Sequence, residues 1–414
     1  MPLTRPQRKN PILRTSLPTL PPWSRSRVAQ GLTAAAALGR FELQVCQDCQ
    51  AVQYPPQEAC RLCLSERLRW KPQGGEGELL SETKLHHSND LFFRERLPWR
   101  LGLVKLDAGP TLMVHLHGDV RAAPERVQVG ARLDRSGQAV LIAYPPTEVS
   151  PMADDIQLRE MTCDPKYRKV LVTDTKTTVG QAMIKSLVEA GAEIVWAGYA
   201  EGWKQLPGFD AVAKLPRVTL VPLDLTNERS VSELAGELGG KVDILVNNAE
   251  VHRTYGISAR RGTDVARAEM DVNYFGLLRL AQEFGPALRA RGADGQSSAC
   301  AWVNLLSVYA LANFPAHGTF SASKAAAHSL TQNLRAEMRA GGIRVINLFP
   351  GPIDDEWNQL TPPPKIAPHA LASAMVKALR DGVEDVFPGD VAQEWLERWR
   401  ENPKILEREL AGHP

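Results

Sequence analysis

The chain has 414 residues, of which 43% are hydrophobic and 23% charged, with a formal net charge of +2. These values are ordinary for a soluble globular protein of two or three domains with a sizeable core. They exclude a membrane-spanning protein, because no stretch approaches the roughly 18 uncharged apolar residues that a span requires. The net charge argues neither for nor against a nucleic-acid partner.

The first 24 residues form a basic, proline-rich segment. Residues 1–30 carry six Arg or Lys side chains and no acid, and Pro11, Pro18, Pro21 and Pro22 prevent a continuous amphipathic helix. No apolar core of a secretory signal follows the basic start. We therefore predict a mobile Pro/Arg-rich arm over residues 1–24 that lies on another subunit, in a cytoplasmic, reducing environment.

The next part of the chain combines a helix with short strands. Ser24 is a candidate N-cap for a short helix that runs through Arg40. Short apolar runs separated by Gly/Pro turns follow at 77–80, 101–106, 111–116 and 139–143. Runs at this spacing predict a small β-barrel over residues 71–147. A charged, irregular linker is predicted over residues 148–166.

A different pattern begins at residue 167 and continues to residue 414. Apolar, β-branched-rich runs alternate with stretches of helical periodicity; the runs are 169–173, 193–197, 218–221, 242–246, 301–306 and 343–348. Such alternation predicts an α/β domain whose parallel sheet is covered by helices on both faces.

Four of the six cysteines form two Cys-X-X-Cys pairs, Cys46/Cys49 and Cys60/Cys63. In a reducing compartment, paired thiols at this spacing indicate metal ligands rather than disulfides. Two such knuckles complete a tetrahedral zinc site, so we predict a structural zinc ion over residues 25–70. A redox role for the pairs is the alternative. The isolated Cys163 and Cys300 are expected to be buried thiols.

The surroundings of the cysteines carry a family resemblance over about residues 22–147. Cys46-Gln-Asp-Cys49, Pro55-Pro56, Cys60-Arg-Leu-Cys63 and Trp70, followed by the strands, resemble acyl-CoA-associated zinc-ribbon and OB-fold proteins. The resemblance implies a rubredoxin-like ribbon and an OB-fold barrel. It also implies docking or acyl-CoA gating beside a thiolase-like enzyme, a related aldolase or an acyl-CoA dehydratase. An OB-fold also suits nucleic acid, but no basic stripe with interleaved aromatics is present, so we predict no nucleic-acid partner.

From Lys169 to about residue 400 the chain resembles the short-chain dehydrogenase/reductase family, which has a Rossmann-type doubly wound parallel sheet. The positions that carry the resemblance are in order and in register: Thr173, Asp174, Thr178 and Gly180 in the cofactor loop, Asp224, Asn247, Asn273, Ser307, Lys324, Pro350 and Gly351. The resemblance implies that Asp224 contacts adenine and that Asn273, Ser307 and Lys324 belong to the catalytic centre.

The catalytic tyrosine of that family is missing. The position four residues before Lys324 and thirteen after Ser307 holds Phe320, whose ring neither donates nor accepts the substrate proton. Tyr309 and His317 are the alternative acids, although neither has the helical placement beside Lys324. Asn273, Ser307 and Lys324 are therefore interpreted as remnants of a catalytic centre.

The cofactor loop departs from the family independently. Asp174 and Thr178 replace two of its three glycines, which allow the tight turn and the close approach of the pyrophosphate. Glu250 follows Asn-Asn-Ala where the family has Gly, and Asp355 replaces the Thr that touches the nicotinamide. Tyr199 favours neither NAD nor NADP. Together these departures predict that hydride transfer is lost and that NAD(P) binding is impaired.

These features predict a non-catalytic or partner-dependent subunit of an acyl-CoA-metabolising complex. The expected partners are a thiolase-like enzyme or an active dehydrogenase subunit, in a homo- or hetero-oligomer formed through helices at 261–290 and 316–340. The alternative is an NAD(P)-dependent oxidoreductase of a 3-hydroxyacyl- or 3-oxoacyl-CoA substrate. A third hypothesis is a nucleotide- or acyl-CoA-binding sensor.

Overall fold

The computed structural model describes residues 19–22, 25–147, 149–155, 157–200, 208–291 and 298–412. Two compact units are present, the first built mainly from residues up to Cys163 and the second mainly from Asp164 onward. The predicted arm, residues 1–24, lies outside the described residues except for 19–22, and so does the proposed cap Ser24.

The first unit begins with a helix and a small antiparallel sheet. Ser26 caps a 3-10 turn at Arg27–Ala29, and helix α1 follows at Gln30–Ala37, which ends three residues before the predicted Arg40. The sheet has the order β2-β1-β3; its strands are β1 (Glu42–Cys46), β2 (Val52–Gln53) and β3 (Leu68–Pro72). The Cys-X-X-Cys pairs lie at the turns of this sheet.

A closed barrel follows, with the order β4-β5-β6-β8-β7 among the described residues. Its strands are β4 (Glu76–Leu85), β5 (Trp99–Leu106), β6 (Thr111–Leu116), β7 (Glu125–Leu133) and β8 (Ala139–Tyr144), with helix α2 (Leu91–Arg94) between β4 and β5. Strand β7 was missed by the sequence analysis because its buried residues alternate with Arg126, Gln128 and Arg132 instead of forming a run.

The segment predicted as an irregular linker has local structure of its own. Its described residues form 3-10 turns at Met152–Asp154 and Arg159–Met161. Leu158 and Met161 are buried in one cluster with Phe92 and Trp99. Leu158 and Met161 therefore pack against side chains of the barrel and of α2.

The second unit is a doubly wound α/β domain, as predicted. Its described residues form a parallel sheet in the order β11-β10-β9-β12-β13-β14-β15. The strands are β9 (Lys169–Val172), β10 (Ile194–Tyr199), β11 (Val218–Pro222), β12 (Ile244–Asn247), β13 (Ala301–Leu305), β14 (Arg344–Leu348) and β15 (Asp385–Val386). The strand order reverses between β9 and β12, and ligands of open α/β sheets bind at such a switch point.

Helices cover both faces of this sheet. They are α3 (Thr178–Glu189), α4 (Phe209–Ala213), α5 (Glu228–Leu238), α6 (Asp264–Met270), α7 (Leu277–Ala290), α8 (Gly318–Met338), α9 (Pro368–Asp381), α10 (Asp390–Glu401) and α11 (Pro403–Leu410). A π-helical turn, Asp271–Gly276, joins α6 to α7. Within the described parts of the chain, no helix is long and apolar enough to cross a membrane.

Candidate functional site

The four paired cysteines converge on one point. Their Sγ atoms all lie within 4.8 Å of one another, and the pairs Cys46/Cys63 and Cys49/Cys60 are each 3.6 Å apart. Zn–S bonds of about 2.3 Å in tetrahedral geometry separate neighbouring sulfurs by about 3.8 Å. The thiols therefore fit a zinc ion that completes the ribbon as a closed structural site.

The two knuckles have matching backbones. Gln50 and Leu64 each follow the second cysteine of a pair and adopt left-handed φ values of 59° and 62°. Their N–H groups donate to the carbonyls of Cys46 and Cys60, at 3.1 and 2.9 Å. A non-glycine residue in this region is uncommon and costs conformational energy. The two knuckles therefore close in the same way, through one left-handed residue and one N–H to carbonyl hydrogen bond each.

Buried amides hold the second knuckle against the first. The Gln53 amide donates to the Gln44 side-chain oxygen at 3.1 Å, and this oxygen also accepts from the Gln57 N–H at 2.9 Å. The Gln53 oxygen accepts from the Arg61 N–H at 3.2 Å. Because Gln44 and Gln53 are both buried, these bonds fix the loop that carries Cys60.

A second candidate site lies at the switch point of the parallel sheet. The Thr173 hydroxyl at the end of β9 accepts from the Asn248 N–H at 3.0 Å and donates to the Asn247 side chain at 3.2 Å. The Asn248 side chain bonds both backbone groups of Asp174, at 3.0 and 2.7 Å. These contacts join the ends of β9 and β12.

The loop after β9 keeps its tight turn despite the lost glycines. A Cβ at Gly180 would lie 1.9 Å from the Asp174 carbonyl oxygen, so the remaining glycine is sterically required. The Asp174 side chain caps the turn by accepting from the Lys176 N–H at 2.9 Å. Burial, with the Glu356 carboxylate nearby, raises the pKa of Asp174 to about 6.

Phe320 occupies the position of the family's catalytic tyrosine. It is buried on α8, and the ring of His252 stacks on it with 3.8 Å between centroids and 15° between planes. His252 lies beyond β12, five residues after Asn247. The site of proton exchange in the family is therefore filled by two stacked aromatic rings.

His252 belongs to a buried aromatic cluster that also contains both alternative acids. Its Nε2 lies 2.7 Å from His317 Nδ1, and the Tyr309 ring stacks on His317 at 4.8 Å. Burial lowers the pKa of His252 to about 3 and that of His317 to about 4, and it raises the pKa of Tyr309 to about 12. All three groups are neutral at pH 7, far from the pKa near operating pH that general acid–base catalysis favours.

Lys324 forms a buried ion pair with Glu250. Its Nζ lies 2.8 Å from Glu250 Oε2 and also donates to the Leu305 carbonyl at 2.9 Å. Only 2% of the Lys324 side chain and 7% of the Glu250 side chain are exposed. Glu250 stands where the family has glycine. This substitution therefore supplies the carboxylate that compensates the charge of Lys324.

Asn273 and Ser307 are likewise bonded within the fold. Asn273, in the π-helical turn, accepts from the Val251 N–H at 3.0 Å and donates to the Ser323 hydroxyl at 2.8 Å. The Ser307 hydroxyl accepts from the Tyr309 N–H at 3.2 Å and caps the 3-10 turn at Val308–Ala310. Both side chains therefore have local structural roles.

The remaining predicted residues border the cleft. Asp224, after β11, accepts from the N–H and hydroxyl of Thr226, at 2.9 and 2.7 Å, and so closes a turn. The Pro350 carbonyl accepts from the Val308 N–H at 3.0 Å, which ties the end of β14 to the end of β13. A Cβ at Gly351 would lie 2.9 Å from the Val391 side chain, which explains the glycine.

The loop after Gly351 reaches the first turn of α3. Glu356 accepts from the Thr178 N–H, at 3.3 and 3.4 Å to its two oxygens, and from the Thr178 hydroxyl at 2.7 Å. In dinucleotide-binding α/β folds the pyrophosphate binds at the N-terminus of this helix. In this chain the Glu356 carboxylate, from the loop after β14, lies at that position.

Sequence analysis missed Glu356, His252 and the pairing of Glu250 with Lys324. The sequence did contain a signal for these contacts. Glu250 and His252 follow the carboxyl end of β12, and Glu356 follows that of β14. Carboxyl ends of parallel strands meet at one edge of a sheet, so side chains there are candidates for mutual contact.

Three family models match the chain in succession. Residues 33–69 match the rubredoxin-like zinc-ribbon domain of ChsH2, residues 70–138 match the C-terminal OB-fold domain of ChsH2, and residues 168–363 match the short chain dehydrogenase family. An uncharacterized oxidoreductase of Mycobacterium tuberculosis strain H37Rv is 30% identical over 243 residues, which cover 53% of this chain and 67% of that protein. The chain belongs to the short-chain dehydrogenase family. Its N-terminal domains are of the ChsH2 type, so the predicted fusion is confirmed.

Other similar proteins agree with this assignment. An uncharacterized oxidoreductase of Staphylococcus aureus strain USA300 is 29% identical over 215 residues, which cover 50% of this chain and 89% of that protein. A short chain dehydrogenase of Burkholderia cenocepacia, solved in complex with NADP, is 33% identical with a TM-score of 0.54 and covers 60% of this chain and 98% of its own. A Streptomyces avermitilis member at 23% identity and TM-score 0.51, with 60% and 98% coverage, supports the fold alone.

Proposed function

We propose that this chain is a non-catalytic or partner-dependent subunit of an acyl-CoA-metabolising complex. In this role the short-chain dehydrogenase domain provides structure and subunit contacts and does not transfer hydride on its own. The zinc-ribbon and OB-fold domains contact a thiolase-like enzyme or an acyl-CoA thioester.

The buried Lys324–Glu250 ion pair beside Phe320 is the observation that carries the proposal. In the family the lysine charge lowers the pKa of the tyrosine four residues earlier. Here Glu250 compensates the charge of Lys324 at 2.8 Å. The position of the tyrosine holds Phe320, whose ring cannot exchange a proton. Loss of a general acid/base alone typically costs about 10²- to 10⁴-fold in rate. The pairing of Lys324 with Glu250 also compensates the positive charge that would lower the pKa of a substitute proton donor.

The neighbouring groups do not replace the tyrosine. General acid–base catalysis is most effective with a pKa near the operating pH, whereas burial raises the pKa of Tyr309 to about 12 and lowers that of His317 to about 4. His252, with a pKa lowered to about 3, is bound to His317 and covered by Phe320. Each group therefore stays neutral and contributes packing.

Helices α7 and α8 support a partner-dependent role. A groove of about 260 Å³ between them is lined by residues that include Ala281, Gly285, Pro286 and Leu330. Small residues such as Ala281 and Gly285 allow a facing helix to approach closely. A second dehydrogenase subunit, active or inactive, is the partner that we propose for this face.

An NAD(P)-dependent oxidoreductase acting on a 3-hydroxyacyl- or 3-oxoacyl-CoA is the second candidate. It is favoured by the Burkholderia cenocepacia relative, which was solved with NADP, and by the retained loop geometry around Thr173 and Gly180. Under this candidate the acid would come from a partner subunit.

Reconstruction of the proton-transfer pair tests the proposal. NADPH and NADH oxidation with acetoacetyl-CoA is measured for the zinc-loaded wild type and for F320Y, F320Y/E250Q and the hydroxyl-adding control F314Y, each of the three combined with E356Q so that the chain's own carboxylate no longer lies at the N-terminus of α3. We expect no turnover from the wild type or F314Y/E356Q and the largest gain from F320Y/E250Q/E356Q, in which the introduced amide at position 250 still accepts from Lys324 without compensating its charge. Cofactor-dependent turnover by the wild type alone would refute the proposal.

A further inference from the structure

Glu356 connects two elements that are far apart in sequence. It lies in the loop after β14, while Thr178 is the first residue of α3, 178 positions earlier. Glu356 accepts three hydrogen bonds from this one residue, at 3.3, 3.4 and 2.7 Å. The contact therefore bridges the mouth of the cleft at the switch point.

The Glu356 carboxylate lies at the N-terminus of α3, which is the end of the helix that favours an anion. Helix α3 has 12 residues, and Thr177 caps it by accepting from the Gly180 N–H at 3.1 Å. The N–H groups of a first helical turn have no intrahelical acceptor and carry the positive end of the helix dipole. Glu356 supplies both the acceptor and the negative charge, which a cofactor diphosphate would otherwise provide.

A second observation shows that the cleft is unfavourable for further negative charge. Asp355 is only 7% exposed, and its Oδ2 has no hydrogen-bond partner among the described residues, while Oδ1 accepts from the Trp357 and Asn358 N–H groups. Glu250 and Asp174 lie at the same edge of the sheet. An incoming diphosphate would meet Asp355 and Asp174 as well as Glu356, whereas Lys324 compensates the charge of Glu250.

We propose that Glu356 is the specificity-determining residue that excludes phosphate-containing ligands from this cleft, because its carboxylate occupies their position at the N-terminus of α3. The inference deepens the proposed function and rests on it, since it supplies a physical reason for the proposed loss of cofactor use in a chain that keeps the turn after β9. Neutralising Glu356 should therefore create an anion site where the wild type has none.

The test uses inorganic pyrophosphate as the probe and the full zinc-loaded chain. Binding is measured by calorimetry and by the shift in Tm for wild type, E356Q, T178G and E394Q. E356Q removes the charge, T178G removes the hydroxyl that holds Glu356, and E394Q removes an equal charge from the exposed face of α10.

We expect E356Q to bind pyrophosphate at least tenfold more tightly than the wild type, T178G to show a smaller gain, and E394Q to behave as the wild type. Equal affinity in wild type and E356Q would overturn the proposal, and so would an equal gain in E394Q. The outcome is separate from that of the turnover assay, because NADPH oxidation by the wild type refutes the proposed function whatever the affinity ratio.

Discussion

The zinc site and the dehydrogenase cleft both keep residues that their families use, but these residues have different partners. In the ribbon the four thiols face one another at distances that suit a metal ion. In the cleft Lys324 is bound by Glu250, Asn273 by Val251 and Ser323, and Thr178 by Glu356. Retention of a residue therefore indicates function only when its polar atoms remain directed at a ligand rather than at the chain itself.

The largest expected effect concerns the ribbon. Replacing Cys60 by Ser should abolish stoichiometric zinc and unfold the ribbon, because structural zinc contributes on the order of 10 kcal/mol or more to such small domains. C163S is the control, since this buried thiol lies outside the cluster. Metal analysis and limited proteolysis check the result; full zinc content in C60S would show that these cysteines do not form the site.

The next effect concerns the buried ion pair in the cleft. E250A should lower the free energy of unfolding by about 3–5 kcal/mol, because it leaves the Lys324 charge buried without its counterion. The double variant E250L/K324M should recover most of that loss, as apolar replacement of a whole buried pair is often neutral. Denaturant unfolding measures both.

The exposed pair Glu394/Arg398 on α10 provides the matched control for this measurement. E394Q should change the free energy of unfolding by less than about 1 kcal/mol, because water and salt screen surface pairs. If E250A were no more destabilising than E394Q, the internal pairing in the cleft would not be the stabilising contact described above.

A smaller effect concerns Asp355 and pH. Burial, with Glu250 nearby, raises the pKa of Asp355 in the folded protein to about 6. The folded state therefore holds this proton more tightly than the unfolded state, so its stabilising contribution is complete below about pH 4 and is lost as pH rises through about 6. D355N should match the wild type near pH 4 and exceed its stability at pH 8 by up to about 2–3 kcal/mol.

D354N is the control for this pH dependence, because the neighbouring Asp354 is exposed and pairs with Lys365 at 3.0 Å. The stability difference between D354N and the wild type at each pH is the reference with which the difference for D355N is compared. Chemical unfolding at several pH values measures both variants, and parallel curves for D355N and the wild type would contradict the raised pKa.

Much of the fold followed from the sequence because its signals were local. The cysteine spacing predicted the metal ligands, and the distance from Ser307 and Lys324 to Phe320 predicted the missing tyrosine. Strand β7 was not predicted, because a half-buried strand alternates apolar and polar residues and contains no continuous apolar run. The helix predicted at 261–290 is interrupted by the π-helical turn at Asp271–Gly276, for which the residue pattern has no distinct signature.

The internal partners of the cleft were beyond local patterns. Glu250 was recognised as a departure, but its contact with Lys324 depends on which strand ends meet in the folded sheet. Glu356 reaches a residue 178 positions away, and His252 stacks on Phe320 from the end of another element. Such contacts depend on tertiary geometry. The sequence pattern therefore located family positions such as Lys324, but it did not show which groups these residues contact.

A titration of the zinc-loaded wild type with NADH and NADPH, followed by fluorescence and calorimetry, tests the central claim most directly. Internal pairing of Lys324 and Thr178 predicts no binding of either cofactor up to millimolar concentration. Saturable micromolar binding would contradict the account, because it would show that Glu250 and Glu356 give way to the cofactor in the native chain.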